Sequence, residues 1–273
     1  MITHLFLDEQ NPAYDLLTFK KENISMKIFV EQGRINEIIN FLDSLNINSE
    51  RFIKIKYEKQ QKIFMIFEEA LTHSSVNKNI NHEKLEFFGD AVLRLSASEF
   101  IDKNFESLSV GKRSELRAQL VSDEWLTKLG KKINLEKIIK VGPKAIGDSF
   151  SKDTIIAEIT ESLIGALYKC FNSIEEINLW LDKYWEEDAK IILKNPHKFN
   201  AKSSLQEWCQ EKGLNLPVYK IIELSKEHGD SKRFLCKLYI SDELKAISYG
   251  KSHKNAEKAA AIIAFDKIHN NAS

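Results

Sequence analysis

Residues 82–95 read HEKLEFFGDAVLRL. Glu83, Glu86 and Asp90 fall close together there, interleaved with Leu85, Phe87, Phe88, Val92 and Leu93. At about 100° of rotation per helical residue, Leu85, Phe88, Val92 and Leu95 form one stripe, the face expected to turn to a core. The three acids gather on roughly the opposite side. Glu86 and Asp90 are helical neighbours with Cβ atoms about 5–6 Å apart, near enough to share one hard cation. A solvated acidic face explains the same spacing, because like charges so placed cost only about 0.2–0.5 kcal/mol. Phe87 lies beside the acids and off the core stripe, as expected of a side chain against which another surface packs.

A second acidic pair occurs in DTIIAEITESLIGALY, residues 153–168. Ile156, Ile159, Leu163 and Leu167 make its apolar stripe, and Glu158 and Glu161 project to the other side with Thr154 and Gly165. Small neighbours allow another helix to come close, so the two acidic pairs can meet. Four carboxylates from two helices repel one another unless cations lie between them. Oxygen-only ligands favour magnesium or manganese over zinc. The spacing alone leaves both readings open, a metal site and two solvated faces.

Composition narrows the class. The chain has 273 residues, 43% hydrophobic and 29% charged, which describes a soluble globular protein with a sizeable core. The longest apolar run, AAAIIAF at 259–265, is too short to span a bilayer. The amino-terminal MITHLFLDEQNPAYD lacks the basic start and apolar segment of a signal peptide. Cys170, Cys209 and Cys236 are isolated and odd in number, which suits the cytosol and offers no zinc or disulfide framework. Forty basic residues balance forty acidic ones. From Phe199 onward, however, 12 Lys/Arg stand against 9 Asp/Glu. Such small imbalances decide nothing about partners; placement has to.

Along the chain there is no internal repeat. Residues 1–25 lack a periodic pattern and Met26 follows them, so they read as a loose arm or as the product of an upstream start codon. From about 34 to 192 apolar residues recur at three- and four-residue steps: Ile35, Ile38, Ile39 and Leu42; Leu116, Leu120 and Val121; Ile174, Ile177 and Leu181. KNPHKFNAKS at 194–203 breaks this pattern and reads as a linker. SSLQEWCQEKG (203–213) then reads as a helix with Ser203 or Ser204 as cap and Gly213 as stop. VYKIIEL, KRFLCKLYI and LKAISYG read as short strands, and NAEKAAAIIAFDKIH as a final helix. The expected architecture is an all-α domain at 26–193, a linker at 194–201, and a small α-β-β-β-α domain at 202–273.

HEKLEFFGDAVLRL resembles the signature of the ribonuclease III family, in which Glu-x-Leu-Glu-Phe-x-Gly-Asp-(small)-Val-Leu recurs. ALTHSS (70–75), KRSELRAQLVSDEWL (112–126) and AEITESLIGALY (157–168) follow in that family's order and spacing. The carboxy-terminal segment resembles a double-stranded RNA-binding domain. Together these cover most of residues 30–270. The resemblance implies a Mg²⁺-dependent endoribonuclease specific for double-stranded RNA, with Mn²⁺ as a possible substitute. It implies Glu86, Asp90, Glu158 and Glu161 as metal ligands, with Asp90 and Glu161 catalytic and Glu83 supporting. Products would carry a 5′-phosphate and a 3′-hydroxyl with short 3′ overhangs. Ribosomal and other structured precursors, including messenger and transfer RNA, are the implied substrates in the cytoplasm, with no membrane or small-molecule partner. A binding-only protein on the same fold is the alternative.

The resemblance also assigns partners and contacts. Phe87 would insert into a second subunit, making a homodimer that sets two sites across one duplex. Gln206 and Glu207, His228, Lys254 and Lys258 match RNA-contact positions of the carboxy-terminal domain. Lys112, Arg113 and Arg117 are phosphate-contact candidates in the helical domain, and His73 in ALTHSS reads as a structural hydrogen-bonding residue. Two departures stand out. The family generally has Asp where this chain has Glu158, one methylene longer, although Mg²⁺ demands oxygens at about 2.0–2.1 Å. In SHKNAEK (252–258), His253 takes the place of a basic residue.

Overall fold

The computed structural model describes residues 30–47, 57–145, 147, 149–194, 200–227 and 229–270. The expectations for residues 1–25, for His228 and for most of the linker lie outside them. Two hydrophobic cores are present, one within residues 30–192 and one within 201–264.

Among the described residues, the regular elements around the first core are all helices. Its elements are α1 (Gln32–Ser44), α2 (Tyr57–Ala70), α3 (Glu83–Asn104), α4 (Val110–Leu120), α5 (Asp123–Lys132), α6 (Ser149–Phe171) and α7 (Ile174–Lys194), with a 3₁₀ turn at Leu135–Lys137. Local signals set several helix starts. Ser109 and Ser122 cap α4 and α5 by accepting the amides of Lys112 and Trp125. Helix α5 also carries Asp123 and Glu124 in its first turn and Lys131 and Lys132 in its last, matching the helix dipole.

Helix α6 is central. Besides the expected Ile156, Ile159, Leu163 and Leu167, the residues Ala157, Thr160, Ser162, Ile164, Gly165 and Ala166 are buried. The helix is therefore enclosed on both sides, where the sequence suggested one apolar stripe. Its buried hydroxyls are satisfied: Thr160 donates to the Ile156 carbonyl at 2.6 Å and Ser162 to that of His82 at 3.2 Å. Helix α3 packs against it and buries Leu85, Gly89, Val92, Leu93, Ser96 and Ala97. Leu95, expected on the core stripe, is instead exposed. The α3 core face widens toward Leu93 and Ala97 because α6 and α7 both pack on it.

Helix α7 closes the far side with Trp185, fully buried and donating its indole N–H to the Leu120 carbonyl at 3.1 Å. Trp125 and Phe100 flank it at centroid distances of 5.6 and 5.5 Å. Burying this aromatic group contributes both area and tilted ring contacts to the core.

The second core is an α-β-β-β-α unit: α8 (Ala201–Glu211), β1 (Val218–Glu223), β2 (Phe234–Ile240), β3 (Glu243–Gly250) and α9 (His253–Asn270). The strands are antiparallel in the order β1-β2-β3. Along β2, Phe234, Cys236, Leu238 and Ile240 point inward in strict alternation. Ser241 and Asp242 both take positive φ, making the two-residue turn that suits the strand twist. Helix α9 lays Ala256, Ala260, Ala261 and Ala264 on the sheet. At Gly250 a Cβ would stand 2.4 Å from the Ala256 amide nitrogen, so helix and strand touch backbone to backbone. Helix α8 begins two residues before the expected Ser203 cap, with Asn200 in the cap position and no side-chain cap bond. Lys194, expected in the linker, ends α7.

Candidate metal centre and RNA-contact residues

The site begins with two glycines. Gly89 of α3 and Gly165 of α6 meet where the helices cross. A Cβ on Gly89 would lie 2.0 Å from the Glu161 carbonyl oxygen, and one on Gly165 would lie 2.3 Å from that of Leu85. This contact places Glu86 and Asp90, on either side of Gly89, beside Glu158 and Glu161, which precede Gly165 on α6. All four carboxylates are partly buried.

Crowding shows in their acidity. Glu161 is pushed up to about 8, first by burial and then by the negative charges of Asp90, Glu86 and Asp123, which Arg94 only partly offsets. Glu86 is also raised, by burial and then by Glu158, with His82 opposing. Asp90 receives two contacts from Arg94 Nε, at 2.8 and 2.9 Å. Two of these neighbours were not singled out from the sequence. Asp123 reads there as an ordinary first-turn acid of α5, and only the packing of α5 on α6 carries it to the site. Arg94 had a signal in its i,i+4 spacing from Asp90.

Two histidines border the acids. His82 is 2% exposed, and its Nε2 lies 3.3 Å from Glu86 Oε2 and 3.4 Å from Glu158 Oε2. The His73 ring stacks on His82 at 5.0 Å, with its Nε2 4.0 Å from the same Glu158 oxygen. Burial and the neighbouring His82 lower the pKa of His73. The loop carrying His73 is fixed by main-chain bonds, His73 N–H to the Lys140 carbonyl and His82 N–H to the Thr72 carbonyl, both 2.9 Å. Glu83 is exposed at the start of α3. The carboxylates suit a hard divalent cation by donor type, and burial first, then the charges of Asp90, Glu86 and Asp123, keeps Glu161 protonated until a counter-charge arrives.

Phe87 is 84% exposed beside Glu86. The basic candidates of α4 divide. Lys112 is exposed, and Arg117 reaches Ser98 Oγ at 3.0 Å. Arg113 is committed internally, bonding the Glu106 and Leu108 carbonyls at 2.8 and 3.0 Å and pairing with Asp102. It ties the turn after α3, a task its neighbours in the sequence did not reveal. Gln206 and Glu207 are exposed on α8, and Lys254 is exposed at the start of α9. Lys258 is half-buried and pairs with Glu124 of α5 at 3.2 Å. His253 packs edge-on against Phe234 at 4.4 Å, which anchors the start of α9. No helix among the described residues is long and apolar enough to cross a membrane.

A family profile described as Ribonuclease-III-like matches residues 64–178, and one described as Double-stranded RNA binding motif matches residues 201–268. Ribonuclease 3 of Prochlorococcus marinus is 48% identical over 251 residues, covering 92% of this chain and 99% of that protein. Ribonuclease 3 2 of a Nostoc species is 35% identical over 72% of this chain and 81% of its own length. Among solved structures, the nuclease domain of a Campylobacter jejuni ribonuclease III aligns with TM-score 0.44 and 26% identity, covering 55% of this chain and 96% of that one. With both profiles in their expected order and a relative 48% identical over 92% of it, the chain belongs to the ribonuclease III family.

Proposed function

We propose that the chain cuts double-stranded RNA in a Mg²⁺-dependent reaction, with Mn²⁺ able to substitute. The observation that carries this reading is the Gly89–Gly165 crossing, which sets Asp90 and Glu86 in the field of Glu161, pushed up to about 8, and Glu158 in that of Glu86. These four side chains would hold the ion. Bound there, it supplies Lewis-acid neutralisation of the phosphate and lowers the pKa of water. Asp90 and Glu161 are the catalytic acids. Arg94 holds the Asp90 carboxylate from outside. His82 orients Glu86 and Glu158 from behind through Nε2. Hydrolysis leaves a 5′-phosphate and a 3′-hydroxyl, and no step requires the 2′-hydroxyl.

Phe87 serves as the contact to a second copy of the chain, so that two sites face opposite strands and leave short 3′ overhangs. Residues 202–273 form the RNA-reading domain. Gln206, Glu207 and Lys254 are solvent-exposed and suit the wide minor groove and phosphates of an A-form duplex, which is read by shape. His228, Lys112 and Arg117 are the further residues proposed to contact RNA, with Lys258 once it leaves Glu124, and Glu83 supports the ion-binding acids. Structured ribosomal, messenger and transfer RNA precursors in the cytoplasm are the substrates this build suits. The test is long duplex RNA incubated with purified protein, with and without Mg²⁺, beside Asp90→Asn. Cleavage only by the unmodified protein with the ion is expected. Binding without cleavage under every condition would overturn the enzymatic reading.

A further inference from the structure

The three-stranded sheet of the carboxy-terminal domain has one covered face and one bare one. Helices α8 and α9 share a core with the inward positions of the strands. An antiparallel sheet with one solvated face ordinarily turns polar residues outward. Here the register sets three outward rows across the strands. Ile222, Leu235 and Tyr249 form the first row, and Lys220, Lys237 and Ile247 the second. Val218, Tyr239 and Leu244 form the third. Val218, Ile222, Leu244, Ile247 and Tyr249 are each 45–53% exposed. Lys245, the extra residue of the bulge on β3, pairs with Glu243, so Lys220 and Lys237 carry the only charge in the rows.

We propose that this sheet face docks a partner protein through an amphipathic helix that carries carboxylates in the middle of its apolar stripe.

Charge complementarity selects this occupant. Lys220 and Lys237 stand directly opposite each other in the ladder, where like charges are unfavourable. Among the described residues neither forms an ion pair, and Lys220 Nζ is held over the face, 4.9 Å from the Tyr239 ring centroid. Carboxylates arriving between the apolar rows would neutralise the lysines where the surrounding side chains exclude water and strengthen the attraction. An apolar patch around a polar centre of this kind marks an interaction surface. The spacing agrees. At about 3.3 Å per residue the outer rows are roughly 13 Å apart, with the lysines midway. A helix spans about 10–12 Å from i to i+7 or i+8 and presents i+3 and i+4 between them.

The same chemistry disfavours other occupants. A second copy laid face to face would set one lysine pair against the other. A nucleic-acid strand needs positive charge along its track, whereas the charge here is confined to the middle row. Gln206, Glu207 and Lys254, proposed above to contact RNA, belong to α8 and α9 on the other side of the sheet. A partner on the bare face and a duplex on the helices therefore do not compete.

The probe is a designed helical peptide with leucine at i and i+7 and glutamate at i+3 and i+4, titrated into the full chain by fluorescence anisotropy. Lys220→Glu combined with Lys237→Glu should weaken binding at least about tenfold. Ile247→Ser should weaken it as well, and both variants should keep the melting temperature and duplex RNA binding of the unmodified chain. The double variant should instead prefer a peptide with lysine in place of glutamate. Absent or charge-indifferent peptide binding overturns the proposal. Displacement of the peptide by single-stranded RNA, or a change of sedimentation in the double variant, overturns it in favour of RNA or of a second copy. Photo-crosslinking from position 249 in living cells then reads the natural occupant. A protein segment with carboxylates inside an apolar stripe is expected, and a cross-link to anything else, or none, overturns the proposal.

Discussion

Gly89 and Gly165 leave no room between them: each amide nitrogen is 3.1 Å from the position a Cβ would take on the other. The acids on both helices owe their proximity to that contact. Gly165→Ala is expected to force α3 and α6 apart, at a cost of about 1–3 kcal/mol for overpacking. Cleavage should fall further than stability alone explains, because the carboxylates separate as well. Urea unfolding and a cation titration on the same variant check this, and unchanged Mg²⁺ affinity would contradict it.

Glu161 links pH, cation and stability. Its carboxyl titrates near 8 in the folded chain against an ordinary 4.5. Between those values the folded chain keeps a proton that the unfolded chain has lost, so stability without metal falls as pH rises through this window. Glu161→Gln should flatten the slope, and cation uptake below pH 8 should release a proton. Thermal melts across pH, with calorimetry in two buffers, measure both effects.

Phe87 exposes 84% of its surface and adds little to the fold of its own chain. Phe87→Ala should leave the melting temperature of the isolated chain nearly unchanged while shifting sedimentation from dimer to monomer. A variant that sediments like the unmodified protein would remove Phe87 from the dimer contact.

Arg113 and Lys254 should separate structure from RNA contact. Arg113→Ala removes the charged bonds to the Glu106 and Leu108 carbonyls and should cost about 1.5–3 kcal/mol in stability. It should leave the salt dependence of RNA binding unchanged. Lys254→Ala should do the reverse, lowering the slope of log K against log salt by about 1. Filter binding at several salt concentrations distinguishes them.

Much of this was legible in the sequence because the deciding signals are local. Three- and four-residue periodicity marked the helices, short apolar runs marked the strands, and the two acidic pairs stood out at helical spacing. The less legible parts depend on tertiary packing. Leu95 fits the α3 stripe by angle but lies outside the contact with α6 and α7. Asp123 reaches the acids only because α5 crosses α6 at Gly130, where a Cβ would lie 2.4 Å from Ile156 Cγ2. His82 reads as the residue before a helix. Its place between Glu86 and Glu158 arises only once α6 is laid beside α3. Arg113 resembled its exposed neighbours because carbonyl acceptors leave no mark in a sequence.

The aromatic group around Trp185 has an optical consequence. Trp125, Trp180 and Trp185 belong to the helical core, and Trp208 packs against the other. Intrinsic fluorescence therefore carries two signals that one substitution can separate. In Trp208→Phe the emission reports the helical domain alone, and its difference from the unmodified spectrum reports the RNA-reading domain. Because Trp208 follows Gln206 and Glu207 on α8, the difference signal should also respond when a duplex docks there. One label-free measurement can thus follow substrate engagement at one end of the chain and unfolding at the other.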